Sequence, residues 1–577
     1  MEKAAFYHRP ESEYAYPLNE DEVQLRVRTK KDDVKKVSII WGDPYDYRDD
    51  EWQYQESVMH RQCQTQLFDY WEINLKLINR RIQYIFRMQD DHDDILYTDR
   101  QVLEYSPEML KKVQYFKLPY LHQSEIIKKP KWIDNTVWYQ IFPERFANGD
   151  PKRNPKYVKM WDSKYAPKRD DFFGGDLQGV IDHLDYLQDL GINGLYFCPI
   201  FESPTNHKYN TVDYFKVDQH FGDDETLHKL ITEAHRRGMK VMLDAVFNHI
   251  GTDSVQWQDV LENGKKSKYY DWFHIYQEDI PEYLDESGQF NIQEKVPYDT
   301  FAYVGFMPKL NTGNLAVRNH LISIAKYWIE KFDIDAWRLD VANEVSHDFW
   351  REFAKACHQS KKDFYILGEV WNSAQSWLQG DQFSGSMNYP YTDAIKQAFI
   401  DHQITGQQMI NELNKQLMLY RDPINKMMLN VLDSHDTPRI LNQCHENKDL
   451  MKQVMAFTFL QTGMPCVYYG DEVGLTGAGD PDNRRVMEWN PNKQDQDLHE
   501  FFKQLIALRH DLHRQITDGV LESVDDKVLK AVISKKYVAY FNLCEEDMLV
   551  KNGPVVLSNN FNNGVLQENG FVIMKRG

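Results

Sequence analysis

The chain has 577 residues, 42% hydrophobic, 27% charged and 14% aromatic, which is the composition of a folded protein with room for two to four domains. A formal charge of −20 argues against nucleic acid or anionic membrane as the main partner, because both reward clusters of Lys and Arg. No run of about 18 apolar residues exists to span a bilayer. The opening MEKAAFYHRPESEYAY lacks the apolar stretch and cleavage site of a secretory signal, and the six cysteines are scattered without a CxxC spacing. A cytoplasmic protein with reduced thiols is therefore expected.

Residues 1–122 read as β structure. Short alternating segments such as VQLRVRT, VSIIWG and RIQYIFRM are broken by turns containing Asp and Gly, which predicts an N-terminal β-sandwich. From Trp132 onward, apolar runs alternate with amphipathic stretches: VWYQIF, LQGVIDHLDYLQDLG, INGLYFCPI, ETLHKLITEAHRRG, MKVMLDAVF. A strand followed by a helix, repeated, builds a parallel sheet, and eight repeats close a barrel. IDAWRLDVA, DFYILGEV, MNYP, MLNVLDS and MPCVYYG complete the set. The expected fold class is therefore α/β, with a (β/α)8 TIM barrel over 123–512. An insertion rich in Tyr, Asp and Gln follows the third strand at about 251–311, and a C-terminal β-sandwich is expected over 513–577.

In such barrels the chemistry sits at the C-terminal ends of the strands. Four predicted strands end in polar clusters: Asp244, Asn248 and His249 on the third, Arg338 and Asp340 on the fourth, Glu369 on the fifth, His435 and Asp436 on the seventh. Any one of these alone reads as a helix cap, an ion pair or a core histidine. Together at one barrel mouth they offer what glycoside cleavage needs, a carboxylic acid to protonate the leaving oxygen and a carboxylate to meet the oxocarbenium-like carbon. Glu369 follows the apolar FYILG, so desolvation and a neighbouring carboxylate are expected to keep it protonated. Asp340 lies two residues from Arg338, on the same side of the strand, where the cation is expected to hold it ionised.

These four motifs, in this order, resemble glycoside hydrolase family 13, the α-amylase superfamily. The resemblance implies a retaining α-glucan hydrolase with Asp340 as nucleophile and Glu369 as acid/base. It implies Asp436 as the third carboxylate, which binds sugar hydroxyls and distorts the ring. His249, His435 and Arg338 fall at substrate-binding positions, Tyr209 in NHKYNTVDY resembles the platform under the sugar, and Asp244 is a support for the arginine.

MPKLNT (307–312), VANEV (341–345), MNYP (387–390) and YYGDEVG with DPDNRR (468–485) are similar to the neopullulanase, cyclomaltodextrinase and maltogenic amylase group. That likeness covers nearly the whole chain. It implies cyclodextrin, pullulan and short maltodextrin substrates, glycosyl transfer beside hydrolysis, and a homodimer in which the N-terminal domain narrows the partner's cleft. Glu344 and Trp371 fall at acceptor-side positions. Asn148, Asp150, Asn154, Gly174 and Asp176 resemble the group's structural Ca2+ loop, with Arg153 as a departure that puts a cation beside it. An Asx-rich turn is the other reading of those residues. Two rival functions remain at this level: an α-1,4/α-1,6-glucosidase or glucosyl transferase or isomerase of the same superfamily, and a non-catalytic amylase-like scaffold, which would lack the carboxylates present here.

Overall fold

The computed structural model describes residues 1–277, 279–280, 296–516, 519–551 and 553–576. It divides into two compact units, Met1–Lys128 with His402–Asn425, and Lys129–Asp401 with Lys426–Gly577.

The first unit is built on two antiparallel sheets. One orders the strands Ala15–Pro17, Glu22–Lys30, Phe68–Lys76 and His60–Gln64; the other centres on Lys36–Gly42 and Gln83–Gln89. Alternation along these strands sends Val23, Leu25, Val27 and Trp71 from the first sheet and Val37, Ile39, Phe86 and Met88 from the second into one core. The helix Gly406–Met418, placed by sequence inside the 123–512 barrel segment, joins this unit. Its edge of the sheet is fastened by Asn414 Nδ2 donating to Gln64 O (2.8 Å) and Arg26 Nη1 donating to Met418 O (2.8 Å). Arg26 is itself paired in the interior with Glu72 at 2.5 Å.

The second unit holds the expected barrel. Its eight parallel strands are β1 (Trp138–Ile141), β2 (Gly194–Phe197), β3 (Lys240–Ala245), β4 (Ala336–Leu339), β5 (Tyr365–Gly368), β6 (Gly385–Ser386), β7 (Leu429–Asn430) and β8 (Met464–Tyr468). The sheet runs β6-β5-β4-β3-β2-β1-β8-β7, and a parallel bridge from Met387 to Leu429 closes it. Closure requires a glycine: a Cβ on Gly385 would come within 2.0 Å of Met427 O, in the turn just before β7. Apart from Lys240 at the start of β3 these strands are buried throughout, as parallel strands covered by helices must be. The helix Asp224–Arg236 is typical of the cover, with Asp223 capping Thr226 N–H and Leu227, Leu230, Ile231 and Ala234 facing inward at helical spacing.

After β3 the insertion forms the helix Val255–Asn263 and a set of antiparallel bridges that return the chain to the barrel, among them His249 with Lys309 and Phe273 with Leu310. Trp257 packs between Phe273 and Tyr298. Residues 278 and 281–295 of the predicted insertion lie outside the described residues. The C-terminal residues form a six-stranded antiparallel sheet from Val520–Val524 to Val565–Lys575. Phe541 meets Phe457 of the helix Lys448–Phe459 and stacks on Phe571, and Gln453 of that helix donates to Asn542 O and Gly570 O. No helix among the described residues is long and apolar enough to cross a membrane.

Candidate active site

Register sets the site. β3, β4 and β5 pair so that Asp244 lies level with Arg338 and Leu367, and Ala245 with Leu339 and Gly368. One step further along each strand, Asp340 comes level with Glu369, and the ladder continues through both: Asp340 N donates to Ala245 O (3.1 Å) and Glu369 N to Leu339 O (3.0 Å). Their backbones are thus one strand spacing apart, about 4.8 Å. Gly368 immediately before Glu369 is needed, since a Cβ there would stand 2.4 Å from the Phe383 ring.

Arg338 organises the carboxylates and is fully buried. Nη1 donates to Asp244 at 2.9 and 3.1 Å and to Asp340 Oδ1 at 2.8 Å. Nη2 stands 2.8 Å from Glu369 Oε1 without hydrogen-bond alignment, and 3.9 Å from Asp436 Oδ2. Asp436 is the most open of the four, its side chain 29% exposed. A second arginine, Arg484, lies 3.5 Å from Asp436 Oδ1 and donates through Nε to His435 O.

Four carboxyls against two arginines leave the cluster short of positive charge. Burial raises Asp340 and Asp436 above the ordinary carboxylate range, and Glu369 and Asp244 with them, against the opposing pull of Arg338. The pull of Arg338 expected to hold Asp340 ionised is thus opposed by desolvation and by the neighbouring acids. The four titrate as a unit. Within it the aligned bonds from Arg338 favour the charge on Asp244 and Asp340, while Glu369 has only an unaligned contact with that guanidinium and is raised by burial and by Asp436.

Glu369 is held from two further sides. Trp371 Nε1 donates to Oε1 (3.2 Å), and the N–H of Val341 donates to Oε2 (2.8 Å). Val341 achieves this at φ 47°, ψ 41°, the left-handed region that a β-branched side chain disfavours. Trp371 in turn stacks on Tyr389 at 4.0 Å with the rings 1° from parallel, and remains 47% exposed to the cleft.

The expected sugar-binding residues gather here too. Tyr209 Oη bonds Asp244 Oδ2 (2.9 Å) and His435 Nε2 (2.5 Å), its ring parallel to the imidazole of His435. His435 Nε2 lies 3.2 Å from Asp436 Oδ2, and Nδ1 meets Gln140 Nε2 at 2.8 Å. His249 bonds Tyr209 O through Nε2 (3.1 Å) and stacks on Phe301. Burial lowers both histidines, His249 to about 3, so they face the site as neutral hydrogen-bonding groups. Glu344 sits on the turn after Val341 and pairs with Lys309 Nζ at 3.1 Å; the same lysine bonds Asn248 Oδ1.

Lys309, Arg484, Tyr389 and the Val341 N–H were not assigned a role from sequence. The first three lie inside MPKLN, DPDNRR and MNYP, so the motifs were visible and only the partners were hidden.

Away from the mouth, the loop after β1 places Asn148, Asp150, Asn154, Gly174 and Asp176 together. Asp176 accepts from the N–H groups of Gly149, Asp150 and Gly179, Asn148 Nδ2 donates to Asn154 Oδ1 (3.0 Å), and Arg153 Nε lies 3.4 Å from Asp150 Oδ2.

Comparison with known proteins agrees with this geometry. Residues 140–518 match the family described as alpha amylase, catalytic domain, and residues 1–122 match alpha amylase, N-terminal ig-like domain. The chain is 46% identical over 548 residues to the intracellular maltogenic amylase of Bacillus subtilis (strain 168), covering 94% of this chain and 91% of that protein. It is 42% identical over 520 residues to neopullulanase 2 of Thermoactinomyces vulgaris, covering 90% and 86%. A solved cyclomaltodextrinase structure superposes with a TM-score of 0.85 at 40% identity, over 100% of this chain and 98% of that one.

Proposed function

The chain belongs to the α-amylase family and is a glycoside hydrolase, and from that premise we propose that it opens α-glucosidic bonds of cyclodextrins, pullulan and short maltodextrins with retention. The observation that carries the mechanism is the pairing of Asp340 and Glu369, level on adjacent strands and each 2.8 Å from one nitrogen of the same guanidinium. Retaining catalysis needs two carboxyls this near, one to attack and one to move the proton.

In the first step Asp340 attacks the anomeric carbon through Oδ2, since Oδ1 is held by Arg338, while Glu369 gives its proton to the departing glycosidic oxygen. In the second, Glu369 takes a proton from water, the hydroxide forms the new bond at the same carbon, and Asp340 leaves. Asp436, the most exposed carboxyl, is placed to hold ring hydroxyls, and Tyr209, His249 and His435 to line the same sugar with an aromatic face and neutral donors. Trp371 and Glu344 flank the leaving-group side. There Trp371 offers a stacking face and Lys309 fixes Glu344, which supports an acceptor sugar competing with water and hence transfer beside hydrolysis.

The relatives' names support the substrates and, through the intracellular maltogenic amylase, action inside the cell. A homodimer is part of the reading. Tyr45, Tyr47 and Tyr54 of the first unit are exposed aromatics suited to a second copy. The test is initial rates on β-cyclodextrin, pullulan and soluble starch at equal mass, with the products separated. The expected result is cyclodextrin opening ahead of starch, maltose from starch and panose from pullulan. Starch far ahead of cyclodextrin would overturn the narrow-cleft reading, and inactivity on all three would overturn the substrate class.

A further inference from the structure

The donors expected to hold calcium are already engaged with one another. A cation of that size takes six to eight oxygens. The Asp176 carboxylate caps the helix Leu177–Asp182, accepting from Gly179 N (2.6 Å), Asp150 N (2.7 Å) and Gly149 N (3.1 Å). Asn154 Oδ1 accepts from Asn148, and Asp150 Oδ2 faces the Arg153 guanidinium. Asn148 Oδ1 is the buried side-chain oxygen left unpartnered, and one such atom beside the Gly174 carbonyl falls well short of a shell. Among the described residues no group of three or more His, Cys, Asp or Glu side chains could hold a metal ion. The residues present do not fit calcium.

We propose that Arg153 is the fixed cation of this loop, supplying in the side chain the positive charge a divalent ion would bring, so that the fold holds the loop without metal. Arg153 reaches three segments. Nε faces Asp150 in its own loop, Nη1 donates to Gln219 O (3.4 Å), and Nη2 bonds Asp223 Oδ2. Asp223 is the residue whose other oxygen caps the helix Asp224–Arg236 through Thr226 N. The backbone closes the same circuit, with Arg153 O bonded to His220 Nδ1 at 2.7 Å. One residue thus ties the loop after β1 to the turn and helix that lead into β3, and any divalent ion among these oxygens would sit beside a guanidinium that cannot deprotonate.

The experiment is thermal unfolding of the full chain after dialysis against EDTA, with and without added CaCl2, alongside elemental analysis for bound calcium. For the wild type the expected result is one Tm in both buffers, agreeing within about 1 °C, and no calcium. Arg153→Asn removes the charge and restores an oxygen donor. It is expected to unfold below wild type in EDTA and to recover by about 2 °C or more in saturating Ca2+. Arg153→Lys keeps the charge and is expected to stay indifferent to Ca2+. A wild-type Tm that falls in EDTA and returns with Ca2+ would overturn the proposal, as would stoichiometric calcium in the purified wild type. An Arg153→Asn variant that folds and ignores Ca2+ would also overturn it. The wild-type arm decides even where a variant fails to fold.

Discussion

Strand β4 is flanked by a buried aspartate at each end, and the two are satisfied in opposite ways. At the closed end Asp335 meets two lysines and a histidine, Lys361 Nζ at 2.9 Å, Lys240 Nζ at 3.0 Å and His235 Nε2 at 2.7 Å, and accepts the N–H of Val241. Burial pushes its pKa up, but the His235 bond and the two lysines outweigh it and hold the carboxyl well below the usual range. At the open end Asp340 shares Arg338 with three other carboxyls, and burial wins. The same strand therefore carries an over-neutralised aspartate that fastens the barrel and an under-neutralised one at the mouth. Residue type and burial alone do not set the charge balance of a buried acid; the count of opposing charges does.

The two ends also have opposite pH slopes. A carboxyl whose folded pKa is depressed contributes stability above its unfolded value of about 4, and that contribution is lost as pH falls toward the folded pKa. Asp335 does this. A carboxyl raised in the fold binds its proton more tightly folded than unfolded, so the mouth cluster costs stability as pH rises above about 4.

The sharpest way to break the comparison is to neutralise each end in turn. Asp340→Asn and Glu369→Gln are expected to lower kcat/KM by about 10⁴-fold, with Tm unchanged or up by about 1–3 °C, because either relieves a crowded acid cluster. That gain is expected to widen between pH 5 and pH 8, read from Tm measured across that range. Asp335→Asn is expected to cost about 2–3 kcal/mol by leaving two lysines without their acid, while kcat changes less than about twofold; denaturant titration and steady-state rates check both. A smaller effect is expected from Val341→Gly. Release of the left-handed strain recovers about 1–2 kcal/mol, offset by about 0.5–1 kcal/mol of glycine entropy, while a less firmly held N–H on Glu369 lowers kcat. A stability loss with normal kcat would contradict that reading. Smallest is Trp371→Phe, which keeps the ring on Tyr389 and removes the donor to Glu369. The basic limb of the kcat/KM profile is expected to move up by about half a pH unit, with Tm constant.

Much of this site was legible in the sequence because barrel chemistry collects at strand ends, and four apolar runs ended in acids, histidines and an arginine in a fixed order. What stayed hidden depended on distant partners or on backbone shape. Lys309 meets Glu344 across 35 residues and Arg484 meets Asp436 across 48, on flexible side chains whose targets no periodicity reveals. Val341 is a residue type that argues against the conformation it adopts. The helix Gly406–Met418 fell within the 123–512 barrel segment, and nothing in its sequence pointed to the sheet edge it covers. The charge state of Asp340 was argued from one neighbour two residues away, when the answer depended on Asp244, Glu369 and Asp436 on other strands.

The central claim is that Asp340 is the atom donor to the sugar and Glu369 the proton carrier. It is tested most directly by incubating Glu369→Gln with α-maltosyl fluoride, whose leaving group needs no acid, and weighing the denatured protein by mass spectrometry. The account predicts a mass gain of one maltosyl group, mapped by peptide digestion to Asp340. No adduct, or an adduct on any other residue, would contradict it.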